Sequence, residues 1–407
     1  MPPEPIRRKG SALGMMMGMP NLGTEMCNPP RTLHAGGLRL GTVVVGVPVV
    51  LAPMAGITNA AFRRLAHEQG AGLCVCEMIT SRGLVERQPK TLSMLTFDPV
   101  ERIRSVQLYG VDPRYVGKAV TILGAEFGVH HVDLNFGCPV AKVTRKGGGA
   151  ALPWKSQLLR EILHAAVTAA APYGVPVTVK TRMGIDRDHL TFLEAGRIAE
   201  DTGCAAIALH GRTADQHYSG SADWEAIAEL KQAVSLPVLG NGDIWEAADA
   251  LRMMQHTGCD GVVVGRGCLG RPWLFRDLAA AFTGESTPPA PGLGEVAAMI
   301  RRHAELLAAL MGEQRGLADL RKHLAWYLKG FVVGTDVRAS LGTVSSLMGL
   351  DTLLARLEID QPFPAAEMGL PRGRQGSPRR VVLPQGWLQD REYAMVGPEA
   401  ELDIGGG

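Results

Sequence analysis

The segment best equipped for chemistry is Val132-Asp133-Leu134-Asn135-Phe136-Gly137-Cys138-Pro139, followed by Lys142, Arg145, Lys146 and the glycines 147 to 149. Most cysteines are small buried hydrophobes, and Cys138 taken alone would be read that way. Its setting argues otherwise: between Gly and Pro, at the head of a basic, glycine-rich loop, it has little to pack against. An ordinary thiol pKa of about 8.5 keeps the group protonated near neutrality yet able to release its proton, so Cys138 is a candidate general acid.

Other polar residues recur at the ends of short β-branched runs. Gln107, Asn135, Lys180 and His210 close four of them, Pro53-Met54-Ala55-Gly56 follows a fifth, and Gly240-Asn241-Gly242-Asp243 and Gly265-Arg266-Gly267 follow two more. The small residues after Pro53 let a flat ring approach the backbone, although a plain turn reads the same. Alternation in Val177-Thr178-Val179-Lys180 puts Thr178 and Lys180 on one face. An inward lysine needs an anionic partner, because isolated buried charge is costly; a structural ion pair or an anionic flavin would serve. The two glycine loops expose backbone N–H groups and Arg266 adds a charged clamp, which together suit the phosphate of a mononucleotide such as FMN. No G-x-G-x-x-G opens the chain, so a dinucleotide domain is not indicated.

Such residues need a scaffold that gathers strand ends. Eight strands alternate with helix-like stretches: Val49 to Pro53, Leu73 to Glu77, Arg104 to Tyr109, His131 to Asn135, Pro176 to Thr181, Ala205 to His210, Pro237 to Asn241 and Gly261 to Gly265. The rhythm implies an α/β fold with parallel strands, and its span of roughly 230 residues approaches the about 250 of a (β/α)8 TIM barrel. A doubly wound open sheet is the alternative; chemically loaded residues at nearly every strand end favour a barrel mouth. Helices are expected over Asn59 to Gln69, Gln157 to Ala171, Phe192 to Thr202 and Trp224 to Val234, with Gly70 and Gly203 at C-terminal caps.

The expected organisation is a disordered leader over 1–37, a catalytic barrel over 38–283, a Pro/Gly-rich linker over 284–294, a small helical bundle over 295–360 and a flexible tail over 361–407. The bundle's helices are read as Glu295 to Met311, Leu317 to Phe331 and Ser340 to Leu357, with Leu317, Leu320, Leu324 and Leu328 as core. The net charge of +2 does not announce a nucleic-acid binder, so any RNA contact must come from locally gathered Lys and Arg. The 7 cysteines lack metal-ligand or disulfide-framework spacing, which points to a reducing cytoplasm and no metal. No apolar run reaches the about 20 residues of a membrane span.

These segments together resemble the tRNA-dihydrouridine synthases, most closely the DusB-like bacterial subgroup. The resemblance is carried by Ala52-Pro53-Met54-Ala55-Gly56-Ile57-Thr58-Asn59 with Phe62-Arg63, Gln107-Leu108-Tyr109-Gly110, Asn135 to Pro139 with Lys142, and Lys180-Thr181-Arg182-Met183-Gly184. It continues through His210-Gly211-Arg212-Thr213, Asn241-Gly242-Asp243, Gly265-Arg266 and Arg321-Lys322-His323-Leu324-Ala325-Trp326-Tyr327, covering about residues 38 to 360. It implies an oxidoreductase that holds FMN in the barrel, takes electrons from NADPH and reduces the uracil C5=C6 bond in tRNA, with flavin N5 hydride reaching C6 and Cys138 protonating C5. By matching position Pro53, Met54, Ala55, Gln107, Lys180, His210, Asn241, Gly242, Asp243, Gly265 and Arg266 would hold FMN. Asn135 and Arg182 would touch the uracil or flavin edge.

A uracil in folded tRNA must leave its stack to reach a barrel mouth. Lys142, Arg145, Arg321 and Lys322, with Arg301, Arg302, Arg315, Lys329 and Arg338, are the candidate phosphate partners; Trp326 and Tyr327 stack on RNA or simply pack. No obligate protein partner is implied. The competing readings are a flavin reductase of a free small molecule, like dihydroorotate dehydrogenase, and a non-catalytic tRNA-binding factor.

Overall fold

The computed structural model describes residues 37–373 and 375–392, so the expected leader lies outside the described residues but for Gly37, as do residues 393–407 of the tail. The described chain opens with a hairpin absent from the sequence reading, β1 (Leu38–Leu40) and β2 (Val43–Val45). There follow β3 (Val49–Leu51), β4 (Leu73–Cys74), β5 (Ile79–Thr80), β6 (Ser105–Tyr109), β7 (His131–Phe136), β8 (Val177–Arg182), β9 (Ala206–His210), β10 (Val238–Asn241) and β11 (Gly261–Val264).

These last nine pair in parallel, in the order β4-β3-β11-β10-β9-β8-β7-β6-β5. The strand expected at 73–77 is split. β4 pairs with β3 and β5 pairs with β6, while between them Val75 bridges Ser105 and the Cys76 N–H donates to the Ser105 carbonyl at 3.1 Å. That join closes the sheet, so the fold is a (β/α)8 barrel and not a doubly wound open sheet.

Alternation sorts the side chains into two shells. Leu51, Val106, Leu134, Val179 and Leu209 pack outward against the helices. Val50, Leu73, Ala206, Ala208, Leu239 and Val263 point inward and join Leu38, Leu40, Val43 and Val45, so the hairpin caps one half of the barrel interior with aliphatic carbon. The half built by β6, β7 and β8 is polar: Ser105, Gln107, His131, Asp133 and Thr178 are all buried there.

The helix Ala60–Glu68 begins where Asn59 Oδ1 accepts the Phe62 N–H at 3.1 Å. Its Arg63 is buried in a two-pronged pair with Glu101, at 2.7 and 3.0 Å, and also donates to the carbonyls of Thr58 and Thr96. Gly70 and Gly203, at φ +90° and +82°, end their helices as expected.

Past the linker the helices Leu293–Met311, Glu313–Tyr327, Thr335–Leu341 and Leu347–Leu354 enclose a second core, in which Leu317, Leu320, Leu324 and Leu328 are buried. The single helix expected from 340 to 357 is interrupted, because the first stretch ends at Gly342 and Ser346 Oγ caps the second by accepting the Gly349 N–H at 3.1 Å. Ala61 and Trp273 from the barrel enter the same core. The bundle's approach is close enough that a Cβ on Gly270 would stand 2.2 Å from the Trp326 carbonyl carbon.

The flexibility expected beyond residue 360 does not describe 361–392. Gln361 exchanges hydrogen bonds with both backbone groups of Val332 at 3.0 Å, buried Arg372 donates to the Trp326 carbonyl at 2.8 Å, the Arg379 N–H reaches the Asp215 carbonyl at 2.8 Å, and Trp387 is buried. The anchors are distant in sequence, so Pro- and Gly-rich composition gave no sign of them.

Leu320 is completely buried in the bundle. Leu320→Ala is expected to cost about 2–5 kcal/mol of unfolding free energy, read as a lower urea midpoint by far-UV circular dichroism. An unchanged midpoint would show that these helices do not share one core.

Candidate active site

The carboxyl ends of the strands surround a cleft of about 400 Å³, within the size range of small-molecule sites. Pro53, Met54 and Ala55 enter it past β3, Gln107 from β6, Asn135 from β7, Lys180 and Arg182 from β8, and His210 from β9. Asn241, Gly242 and Asp243 arrive from β10, Gly265 and Arg266 from the end of β11, and Cys138 from the loop after β7. Groups as far apart in sequence as Pro53 and Arg266 meet there, because a parallel barrel delivers every strand end to one rim.

Four anticipated residues are not brought to the cleft. Lys142 and Arg145 are exposed on the short helix Ala141–Thr144 and its C-terminal cap, just past the cleft wall. Arg321 donates to the Val344 and Thr343 carbonyls at 2.8 and 3.1 Å, and Lys322 pairs with Asp319 at 2.5 Å. Conversely, Met78, Tyr218, Trp245 and Trp326 line the cleft without having been singled out for it. The only signal for Tyr218 and Trp245 was an aromatic residue in a loop after a strand end. Trp326 comes from the bundle and faces the cleft, whereas neighbouring Tyr327 is buried.

A continuous set of hydrogen bonds crosses the polar half of the barrel and ends at the candidate acid. The Thr178 hydroxyl donates to Asp133 Oδ1 at 2.7 Å, and since it has one proton it must accept from His131 Nε2 at 2.9 Å. His131 Nδ1 then accepts from Ser105 Oγ at 2.7 Å, and burial pushes this imidazole down to about 4, keeping it neutral. Asp133 Oδ2 accepts from Gln107 Nε2 at 2.7 Å, which turns the Gln107 carbonyl oxygen toward Asn135 Nδ2 at 2.8 Å. Asn135 Oδ1 in turn accepts the N–H groups of Gly137 and Cys138 at 3.1 and 3.0 Å.

Arg182 holds the same turn from the other side. Its Nε donates to the Gly137 carbonyl at 2.9 Å, and Nη1 to the carbonyls of Thr213 and His217 at 2.9 and 2.8 Å. Asn135 and Arg182 therefore clamp the peptide preceding Cys138, a role that residue type alone did not reveal. Cys138 itself is half-buried, the other cysteines among the described residues being fully buried. Burial raises its thiol pKa against the opposing pull of Arg182, so the group stays protonated at neutral pH.

The rest of the cleft is cationic. Lys180 Nζ donates to Asn241 Oδ1 at 2.9 Å, and Asn241 Nδ2 is oriented by the Val263 carbonyl at 2.7 Å. Burial lowers the Lys180 ammonium and lifts the Asp133 carboxyl, each opposed by attraction to the other. Burial, reinforced by the surrounding cations, keeps His210 neutral. The Arg266 guanidinium lies 4.6 Å from the Tyr218 ring centre and 5.1 Å from that of Trp245. Asp243, the carboxylate at the rim, is already matched: Arg212 Nη2 reaches both its oxygens at 2.8 Å. The arrangement can bind a flat anionic ligand and present a neutral acid beside it.

The dihydrouridine synthase (Dus) family model matches residues 50–360. A probable tRNA-dihydrouridine synthase of Mycobacterium tuberculosis is 56% identical over 378 residues, covering 91% of this chain and 97% of its own length. One of the same description from Mycobacterium leprae is 53% identical over 385 residues, covering 88% of this chain and 100% of its own length. The tRNA-dihydrouridine synthase B of Pseudomonas aeruginosa is 40% identical over 303 residues, covering 74% and 90%.

Alkylation reads the Cys138 ionisation directly, because the thiolate is the reactive form. Iodoacetamide labelling followed by peptide mass spectrometry is expected to be slow near neutrality and still rising with pH above about 8.5. A rate that levels off at or below that value would mean that burial does not hold the proton on.

Proposed function

The chain belongs to the dihydrouridine synthase family, in its DusB-like group, and on that premise we propose that it reduces the C5=C6 bond of specific uridines in tRNA to 5,6-dihydrouridine, using FMN and NADPH. The observation that carries this reading is the placing of the Cys138 thiol, on a turn fixed by Asn135 and Arg182, at the wall of a cationic cleft where burial favours its protonated form.

The donor set suits FMN. Pro53, Met54 and Ala55 would lie against the ring, Gln107, Lys180, His210 and Asn241 would meet its polar edge, and Gly242, Asp243, Gly265 and Arg266 would take the phosphate end. Arg266 suits an anion because its partner at the rim, Asp243, is 3.7 Å away and is held more tightly by Arg212. Gly265 suits a close approach, since a Cβ there would meet nothing nearer than 3.7 Å and the space faces the cleft. The chemistry that FMN would supply when held there by these residues is hydride donation to uracil C6.

The chain supplies the proton. Cys138 gives its proton to C5 of the uracil enolate: the S–H bond breaks as the C5–H bond forms. The resulting thiolate faces Arg182, whose charge lowers the cost of forming it, and solvent returns the proton. A thiol suits the task because its acid form is neutral and tolerates burial.

The target base must be turned out of its stack to enter the cleft. Trp326 on the bundle lines the entrance, which supports reading residues 295–360 as an RNA-gripping unit beside the barrel. The bundle's Arg301, Arg302, Lys322 and Lys329 are matched by Asp351, Glu68, Asp319 and Glu367. Phosphate contact therefore falls first to exposed Lys142, Arg145 and Arg315, with Arg321 and Lys322 available on rearrangement. A tRNA substrate implies action in the cytoplasm, and among the described residues no helix is long and apolar enough to cross a membrane.

Nucleoside mass spectrometry on unmodified tRNA incubated with the protein, FMN and NADPH is expected to show uridine heavier by two hydrogens. In Cys138→Ala turnover should fall by about 10²-fold or more with flavin content unchanged. Across pH, the wild-type rate at saturating tRNA should persist through neutrality and decline only as the raised thiol pKa is passed. Turnover of a free pyrimidine without any product in tRNA would instead establish a small-molecule reductase.

A further inference from the structure

We propose that Val381 to Arg391 forms a positioning strap for Cys138, bracing from outside the turn on which the thiol rests. The role in turnover rests on the reading of Cys138 as the acid. The strap lies past residue 360, where the family match ends.

The loop after β7 has only backbone hydrogen bonds of its own to stiffen its glycines, Gly147 N–H to the Thr144 carbonyl at 2.9 Å and Gly148 N–H to the Val143 carbonyl at 3.3 Å. Gly147, Gly148 and Gly149 contribute no side-chain contacts, and Gly147 and Gly149 take φ of +77° and +54°. Glycine has the most conformational freedom to lose on ordering, so such a run holds one shape only when neighbours impose it. The loop then returns against Cys138: the Ala150 N–H donates to the Cys138 carbonyl at 3.0 Å, and a Cβ on Gly149 would stand 2.4 Å from that oxygen. Whatever fixes residues 147–151 therefore fixes the acid.

The tail covers their far side. Trp387 Nε1 donates to the Ala151 carbonyl at 3.0 Å, and the indole fills the space where a Cβ on Gly147 would lie 2.4 Å from its ring. Trp387 is 6% exposed, and with Val381 it forms a small core against Ala150, Ala151, Ile185 and Ala214, distinct from the barrel and bundle cores. Two cations close the strap. Lys155 sits 4.9 Å from the Trp387 ring centre and donates to the Asp390 carbonyl, while Arg391 lies 4.4 Å from the Trp154 ring centre and pairs with Glu194.

Trp387→Ala and Trp387→Phe in the full-length protein, loaded with FMN, test the assignment. Trp387→Ala is expected to leave flavin content and NADPH-driven flavin reduction within about twofold, while kcat for uridine reduction falls at least about tenfold at nearly unchanged KM for tRNA. Iodoacetamide should label Cys138 at least about tenfold faster, and Trp387→Phe, which keeps a ring over Gly147, should restore most of both. Unchanged labelling and unchanged kcat would overturn the proposal, as would flavin lost in parallel with activity, which marks general unfolding. Labelling needs neither flavin nor tRNA. Faster labelling in Trp387→Ala, alongside a wild type that makes no dihydrouridine, would uphold the strap and refute the proposed reaction.

Discussion

The site depends on one constraint: polar groups buried inside a barrel must satisfy one another, since no bulk water reaches them. The Asp133 carboxylate, which can only accept, forces the roles of Thr178, His131 and Ser105 on one side and of Gln107 and Asn135 on the other. The last acceptor, Asn135 Oδ1, is thereby turned to the N–H groups of Gly137 and Cys138. The Cys138 turn is thus held from the interior of the barrel, by a relay that begins at residues outside the cleft, Ser105, His131, Thr178 and Asp133, and reaches it through Gln107 and Asn135, which line it.

The opposite wall follows a similar logic with charge. Lys180 needs a fixed acceptor, Asn241 provides one, and the Val263 carbonyl prevents the amide from turning its NH2 toward the ammonium. Arg212 neutralises Asp243 and also donates to the Ser219 and Gly220 carbonyls, tying the loop after β9 to the loop after β10. What is left facing the cleft is positive charge and neutral donors, a field that selects an anion.

Much of this was legible in the sequence because the period of two is unambiguous in buried strands: Val177 and Val179 pack outward, and Thr178 and Lys180 point in. Strand-end residues could be gathered into one cleft for the same reason. Roles were less legible than positions. Asn135 and Arg182 look like ligand contacts by type, yet most of their hydrogen bonds go to backbone groups and to Gln107, a division set by tertiary geometry. The β1–β2 hairpin, three residues per strand, is too short for a periodic signal. The tail misled because its order comes from single anchors, Arg372 and Trp387, bonded to residues 46 and 236 positions away.

The groups around the cleft also bear on why a thiol suits the role proposed for Cys138. A carboxylic acid in the place of the thiol would be drawn to ionise by Arg182, the cation that opposes burial at Cys138. An imidazolium would lose its proton at rest, as His210 does, kept neutral by burial and by the cations around it. The Lys180 ammonium is committed to Asn241 and attracted by Asp133. A thiol carries no charge until it reacts, so burial favours its protonated form, and the arginine that disfavours a resting ammonium or imidazolium becomes a stabilising partner once the sulfur turns negative.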